Sequence, residues 1–256
     1  MLKKILKKIS FVKISYSLAS AIKNKDSLFK RVRLTSGFLK DYSNFKKQKE
    51  NKNFKFKTED LYPRIYDKTE STPIDPVYFY QDTWCARKIF ENKPARHYDV
   101  GSKADLIGTI SQFIPTTMVD IRPLEVTLPE LSFVKGSILD LHFKDGEIAS
   151  LSSICVIEHI GLGRYGDPFD PFGSEKAAKE LVRVLASGGS LYISVPIDNE
   201  NKVYFNAHRA FTREYILKIF SPLKLVEEKY IYGYKLSDIY DPARGFGTGL
   251  YHLKKI

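Results

Sequence analysis

The feature that most constrains the fold is an alternation, from Pro76 to the C terminus, of short apolar runs with segments of helical period. Strands separated by helices favour a mostly parallel sheet with helices on both faces, because parallel neighbours need a crossover connection. The last two runs have no helix between them, which predicts an antiparallel edge pair. The seven predicted strands are His97–Val100, Thr117–Ile121, Leu131–Val134, Ser152–Ile157, Leu191–Val195, Leu223–Ile231 and Gly249–Leu253.

Four helices are predicted between or beside these strands. The first has Pro76 in its first turn, where a proline costs no hydrogen bond, and ends near Asn92. The others are Leu106–Phe113, Ala177–Leu185 and Phe211–Phe220.

The positive charge of the chain is concentrated at its beginning. Residues 1–60 contain 17 Lys and Arg against 5 Asp and Glu, whereas residues 61–256 contain 24 against 25. This contrast predicts a basic N-terminal extension and linker over residues 1–60 and an α/β domain over residues 61–256. A domain with balanced charge does not favour nucleic acid as a partner.

Two interpretations are open for the start of the extension. Leu2, Ile5, Leu6, Ile9 and Val12 recur at helical spacing with lysines between them, which is typical of a basic amphipathic helix. Such a helix, with the residues up to about 40, could lie on an anionic membrane, where each basic side chain contributes about 1 kcal/mol. Alternatively, its apolar stripe docks on the folded domain. The Lys- and Asn-rich segment from Asp41 to Thr58 is predicted to be a mobile linker.

Cysteine usage and hydropathy indicate a cytoplasmic protein. If the basic helix does bind a membrane, the protein is expected to attach peripherally to the inner membrane face. Cys85 and Cys155 lie in apolar patterns without metal-ligand spacing, so we expect free thiols in a reducing compartment. No apolar run approaches the roughly 20 residues of a spanning helix. No metal site is specified by the spacing of acidic residues, and the sequence does not specify an oligomeric state.

The first predicted strand leads into a loop suited to a nucleotide-like ligand. Tyr98–Ile110 reads YDVGSKADLIGTI, in which an acid, Asp99, closes the strand and Gly101 and Ser102 form the turn before a helix. Free N–H groups at such a turn favour nucleotide groups. About twenty residues later, Asp120 closes the second strand, where a carboxylate can accept hydrogen bonds from ribose hydroxyls.

Three further motifs carry a resemblance to a known superfamily. Gly136–Phe143 reads GSILDLHF, Glu158-His159-Ile160 closes the fourth strand, and Arg183–Pro196 reads RVLASGGSLYISVP. In this order they resemble the class I S-adenosylmethionine-dependent methyltransferases over roughly residues 76–256. Within that superfamily, EHIGLGRYGDPFDP and FNAHRAF look like a small uncharacterised family often associated with bacterial surface-polysaccharide genes.

The resemblance implies a Rossmann-like fold and S-adenosylmethionine as cofactor. It assigns Asp99, Gly101 and Ser102 to the first cofactor loop and Asp120 to the ribose. Ser137 and the backbone N–H of Ile138 are assigned to the adenine. The sequence departs from the family pattern at three positions, since Lys103 and Asp105 replace the second and third glycines of the first loop and Ser137 replaces the usual partner of the adenine amino group.

The polar stretch after the fourth strand is the predicted acceptor side. His159 is a candidate general base, and Glu158 is predicted to orient it or to bind the acceptor. Equally well, Glu158 caps a turn and His159 packs under the loop. Arg164, Tyr165 and Asp167 follow in a Gly- and Pro-rich loop, where Asp167 binds sugar hydroxyls or only shapes a turn. Gly161–Gly166 matches G-x-G-x-x-G, but the prolines behind it argue against a dinucleotide site.

A second polar group follows the fifth strand in FNAHRAF, Phe205–Phe211. His208 is a second candidate base, and Arg209 is predicted to clamp a phosphate or carboxylate across the pocket. The alternative for both is a helix cap with a surface salt bridge. Together these residues favour methyl transfer to an oxygen or nitrogen of a small or carbohydrate-type acceptor. The alternatives are a catalytically inactive binding module on the same fold and a nucleic-acid methyltransferase that uses the basic arm.

Overall fold

The computed structural model describes residues 27–256 of the 256-residue chain. The predicted amphipathic helix over residues 1–12 lies outside the described residues. The chain divides into two compact units, one that ends at Pro73 and one that spans Ile74–Ile256. Among the described residues, no helix combines the length and the apolar character needed to span a membrane.

The first unit contains helix α1, Leu28–Phe45, which begins at Ser27, whose side chain accepts a hydrogen bond from Lys30 N. The helix extends into the segment that we predicted as a mobile linker. Tyr42 is buried, its hydroxyl lies 3.0 Å from Thr58 Oγ1, and the Phe56 ring packs on it at 5.7 Å between centroids. Aromatic side chains of the predicted linker therefore pack together in this unit.

The second unit is built around one eight-stranded sheet with the order β3-β2-β1-β4-β5-β10-β8-β9. Neighbours from β3 to β5 are parallel, and β10 is antiparallel to both β5 and β8. The strands are β1 His97–Val100, β2 Thr116–Asp120, β3 Leu131–Lys135, β4 Ile148–Ile154, β5 Leu185–Ile197, β6 Lys202–Tyr204, β7 His208–Ala210, β8 Lys224–Tyr232, β9 Lys235–Ser237 and β10 Gly247–Lys254. The short strands β6 and β7 form a separate hairpin.

Helices pack on both faces of the sheet, as the alternating pattern predicted. They are α2 Pro76–Asn92, α3 Ala104–Ile110, α4 Gly173–Val184 and α5 Arg213–Ile219. Residues of α2 and α3 share one core cluster, and residues of α4 and α5 share the other. Strand β5 shows the alternation directly, because Leu191 and Ile193 belong to one cluster and Tyr192 to the other.

The prediction of a mostly parallel sheet with antiparallel strands at one side is confirmed, and all seven predicted strands are present. The sheet has an eighth strand, β9, which is a three-residue partner of β8. The fourth strand was predicted to run to Ile157 but ends at Ile154, because Cys155 takes a left-handed conformation with φ +53°. Residues Ile157–His159 then form a 3₁₀ turn.

Candidate functional site

Two adjoining cavities lie where β1, β2 and β4 end, which is where open parallel sheets bind ligands. The larger has a volume of about 700 Å³ and the smaller about 350 Å³. Six residues line both cavities, so the two spaces share a wall. They are Gly101, Asp120, Arg122, Cys155, His159 and Tyr165.

The loop after β1 is shaped by a buried carboxylate. Asp99 accepts hydrogen bonds from Ser102 N at 3.0 Å and from the hydroxyls of Ser102 and Ser152 at 2.5 Å each. Burial raises the pKa of Asp99 to about 6. Its side chain lines neither cavity, so Asp99 holds the loop in shape, whereas Gly101 and Ser102 face the larger cavity.

Gly101 is the residue that this loop requires to be glycine. Its φ is +76°, and an added Cβ would lie 2.9 Å from Val156 Cγ1. At the two loop positions where the methyltransferase pattern has glycines, this chain has an ion pair, in which Lys103 Nζ lies 2.8 Å from Asp105 Oδ2. Lys103 lines the larger cavity.

Asp120 closes β2 as predicted and lines both cavities. Its carboxylate accepts hydrogen bonds from the backbone N of Arg122 at 2.8 Å and from the Arg122 guanidinium at 3.2 Å to each oxygen. The same guanidinium packs over the Tyr165 ring at 4.8 Å from its centroid. Arg122 therefore connects Asp120, the residue predicted to bind the ribose, with the loop after β4.

The residues predicted to bind adenine line the smaller cavity. Gly136, Ser137 and Ile138 line it together with Asp120. The Ser137 hydroxyl accepts a hydrogen bond from Leu139 N at 3.2 Å. Within residues 27–256, nothing accepts a hydrogen bond from the backbone N–H of Ile138. A donor without a protein partner is suited to a ring nitrogen of a ligand.

Glu158 is almost completely buried, with 1% of its side chain exposed, and lines the larger cavity. Among the described residues no group hydrogen-bonds its Oε2 atom. Burial raises the pKa of Glu158 to about 8, so the carboxyl group is mainly protonated at neutral pH. An orphaned buried carboxyl oxygen at a cavity wall is ready to bind a ligand group.

His159 is a neutral histidine with a defined tautomer. Its Nδ1 lies 2.6 Å from the carbonyl oxygen of Ala207, which can only accept, so Nδ1 carries the proton and Nε2 has a lone pair. Burial lowers the pKa of the ring to about 4. Nε2 lies 3.6 Å from Glu158 Oε1, so the predicted pair is adjacent without forming a close hydrogen bond.

The loop between Gly161 and Gly173 is held from inside by Asp167. One oxygen of Asp167 accepts from Gly161 N at 2.6 Å and the other from Tyr165 N at 3.2 Å. Gly161 has φ +81°, and a Cβ there would lie 2.1 Å from the backbone oxygen of Asp170. Asp167 also lines the smaller cavity. Its hydrogen bonds are those of a residue that shapes a turn, which was one of the two alternatives for Asp167.

The structure corrects the prediction for Arg209. Its guanidinium is buried under the same loop and lines neither cavity. It donates to the carbonyl oxygens of Ile160 at 2.6 Å, Asp170 at 3.0 Å and Pro171 at 3.3 Å, and to Ser174 Oγ at 3.2 Å. Arg209 is therefore a support of the loop and not an anion clamp.

His208 does face the larger cavity, beside a residue that the sequence did not suggest. Its ring contacts Tyr204 at 5.0 Å and Phe246 at 5.6 Å between centroids, and burial lowers its pKa. Phe246 lines the same cavity from the segment before β10. Arg122 could have been selected because it follows the acid of β2, but no local pattern pointed to Phe246.

Of the predicted acceptor residues, Glu158, His159, His208, Arg164 and Tyr165 meet at the larger cavity. Within residues 27–256, no group of His, Cys, Asp or Glu side chains could hold a metal ion. The arrangement offers a neutral base, a protonated carboxyl group and guanidinium groups beside a space for a second ligand.

Comparisons with known proteins identify the fold. The family described as "Caenorhabditis protein of unknown function, DUF268" matches residues 141–228, and no curated protein matches the sequence. The N-methyltransferase NodS from Bradyrhizobium japonicum WM9, solved with S-adenosyl-L-homocysteine, has a TM-score of 0.51 and 14% identity over 71% of this chain and 88% of its own.

Two further solved structures have similar scores. A putative sarcosine dimethylglycine methyltransferase from Galdieria sulphuraria has a TM-score of 0.52 and 11% identity over 72% of this chain and 91% of its own. The [4+2]-cyclase SpnF has a TM-score of 0.52 and 11% identity over 68% of this chain and 81% of its own. The chain thus has the Rossmann-like fold of the class I methyltransferases.

Proposed function

We propose that this protein transfers a methyl group from S-adenosylmethionine to an oxygen or nitrogen atom of a small or carbohydrate-type acceptor. The observation that carries the proposal is His159, a neutral imidazole with a fixed tautomer that lines both cavities. A base at the wall shared by two ligand spaces is where an acceptor proton has to be removed during group transfer between them.

The residues present fit the cofactor. Asp120 is placed for ribose hydroxyls and keeps acceptor capacity at Oδ2, which receives one hydrogen bond. The unpartnered Ile138 N–H and the lining of the smaller cavity suit an adenine ring. Gly101 allows the loop after β1 to approach the methionine part. When bound, S-adenosylmethionine supplies a methyl group activated by a positively charged sulfur.

His159 can accept the acceptor proton despite its low pKa. A hydroxyl oxygen that gains a third substituent becomes an oxonium and is strongly acidic, so a base with a pKa of about 4 is sufficient for its proton. An amine nitrogen needs no base in this step, because its lone pair attacks directly and the ammonium product releases its proton to solvent afterwards. The proton moves to Nε2, because Nδ1 is committed to Ala207. Glu158, 3.6 Å away, then stabilises the positive imidazole by losing its own proton to solvent.

The larger cavity supports an acceptor of limited size, since about 700 Å³ lies within the range of small-molecule sites. Its wall combines aromatic rings with hydrogen-bonding groups, which suits a sugar or a comparably polar small molecule. A role in surface-polysaccharide synthesis is the further expectation that comes from the sequence resemblance.

Calorimetric titration with S-adenosylhomocysteine tests the cofactor assignment. We expect binding by the full chain and at least about tenfold weaker binding by Asp120→Asn, which loses a charged hydrogen-bond acceptor. Asp238→Asn, which removes an exposed carboxylate next to β9, is the matched control and should bind like the unmodified protein. Absence of binding heat at millimolar ligand would refute the proposal.

A catalytically inactive binding module is the second candidate. It is favoured by one observation, the Lys103–Asp105 ion pair where family members have glycines. The [4+2]-cyclase among the similar structures also illustrates that this fold does not dictate methyl transfer. The same titration separates the two candidates, because a module that lost the cofactor gives no heat.

A further inference from the structure

The basic side chains that line the larger cavity differ in whether they have an acidic partner. Lys103 is paired with Asp105, and Arg122 with Asp120. Arg164 also lines this cavity, but no carboxylate of the described part of the chain lies within ion-pairing distance of it. Arg164 is thus the one cation lining this cavity that lacks an acidic partner among residues 27–256.

The remaining acids of the cavity wall do not neutralise Arg164. Asp75 caps helix α2, where its Oδ1 accepts from Val77 N at 2.9 Å and Tyr78 N at 3.3 Å. Glu158 is protonated at neutral pH because it is buried. Arg164 therefore keeps a positive charge that no adjacent carboxylate of the described residues offsets. At the same cavity, the unpartnered Oε2 of Glu158 can donate a hydrogen bond when it carries the proton.

Arg164 is held in place without using most of its donors. Its Nη1 donates to the Ala207 carbonyl at 3.0 Å, and its guanidinium packs over the Tyr165 ring at 5.1 Å from the centroid. The Arg122 guanidinium packs over the same ring at 4.8 Å. Two guanidinium groups that line the same cavity repel each other, and an anion bound in that cavity removes this cost. A guanidinium fork that is already oriented is suited to bind an oxyanion through two hydrogen bonds.

We propose that the larger cavity recognises an oxyanion group of the acceptor, a carboxylate or a phosphate, through Arg164 with Arg122 as the second cation. This inference rests on the proposed function, since it names the class of molecule that would be methylated. It predicts that neutral analogues of the acceptor bind poorly.

The test uses the full chain and inorganic phosphate as the probe, with binding followed by ³¹P NMR line broadening. The titration is done with and without saturating S-adenosylhomocysteine, and acetate is then added as a competitor. The variants are Arg164→Gln and Arg164→Lys, and the control is Arg87→Gln, which removes the same charge from an exposed position on helix α2.

We expect phosphate binding that persists with S-adenosylhomocysteine present, is at least about tenfold weaker in Arg164→Gln, and is unchanged in Arg87→Gln. Arg164→Lys should restore only part of the affinity, because it keeps the charge and loses the fork. Acetate that competes with phosphate as well as phosphate itself would indicate a carboxylate acceptor, and weak competition a phosphate.

Two results would overturn the inference. One is phosphate binding that is absent or unaffected by Arg164→Gln. The other is competition between phosphate and S-adenosylhomocysteine, because Arg164 would then bind the carboxylate of the cofactor. Failure of the cofactor proposal is distinguishable, since in that case S-adenosylhomocysteine gives no heat whether or not phosphate binds.

Discussion

Replacing Glu158 by glutamine should change how stability depends on pH. In the unfolded chain this carboxyl group ionises near its usual pKa of 4.5, whereas burial holds the folded pKa at about 8. Between these values the folded state binds more protons than the unfolded state, so the free energy of unfolding decreases as pH rises. The stability linked to Glu158 is complete below pH 4.5 and is lost progressively as pH rises to about 8.

The size of the effect follows from the shift. Each pH unit inside the window costs at most about 1.4 kcal/mol, and the whole window no more than about 5 kcal/mol. Glutamine fills nearly the same volume and cannot ionise, so Glu158→Gln avoids this loss. We therefore expect the variant to gain stability over the unmodified protein as pH rises and to be the more stable of the two at pH 8.

Urea unfolding followed by circular dichroism, measured across the window, provides the free energies. Titrating groups that do not contact Glu158 contribute equally to both proteins and cancel in the difference between the two curves. His159 lies 3.6 Å from Glu158 and does not cancel, but with a folded pKa of about 4 its contribution is complete by about pH 6.5. The comparison is therefore made between pH 6.5 and 8. Glu214→Gln removes an exposed carboxylate and should give a curve parallel to the unmodified protein. If Glu158→Gln is also parallel, the carboxyl group is not buried in its neutral form and the reasoning is refuted.

Three further predictions concern the Gly161–Gly173 loop, the loop after β1 and the N-terminal extension. Arg209→Gln should lower the free energy of unfolding by about 3 kcal/mol and increase hydrogen exchange in the Gly161–Gly173 loop, because several charged hydrogen bonds are lost; unchanged exchange would contradict the supporting role. Ser152→Ala should cost about 1–3 kcal/mol in urea unfolding and weaken binding of S-adenosylhomocysteine, since Asp99 loses a donor; an unaffected affinity would argue against its role in shaping the loop. Removing residues 1–26 should reduce flotation with anionic liposomes, and equal retention of both forms would reject the membrane hypothesis.

The periodicity of apolar residues was sufficient to predict most of the fold, because apolar residues recur at the spacing of the buried face of each helix or strand. The seven strands and the four helices beside them were predicted from such patterns. Periodicity failed where an element is too short to show it, as in β9 and in the β6–β7 hairpin. It also failed at Cys155, since nothing in an apolar run shows that one residue takes a left-handed conformation.

For the candidate site, the sequence predicted where side chains lie better than it predicted which groups they bind. Asp120 and His159 line the cavities because strand ends fix where they lie. Arg209 was predicted to clamp an anion across the pocket, because its residue type does not distinguish an anionic ligand from carbonyl oxygens, which a guanidinium also binds. Only the path of the Gly161–Gly173 loop decides this, and that path depends on left-handed glycines and on contacts with residues about forty positions away.

The loop between Gly161 and Gly173 thus has two sets of polar residues with separate tasks. Asp167 and Arg209 hydrogen-bond to backbone groups of the loop itself, which fixes its path. Arg164 and Tyr165 then lie at the larger cavity on a backbone that is already ordered. Binding of the proposed acceptor on such a preformed wall would not require the loop to be ordered at the same time, which lowers the entropy cost of recognition. Substitutions at Arg164 should therefore change acceptor affinity with little effect on folding, whereas substitutions at Arg209 should do the reverse.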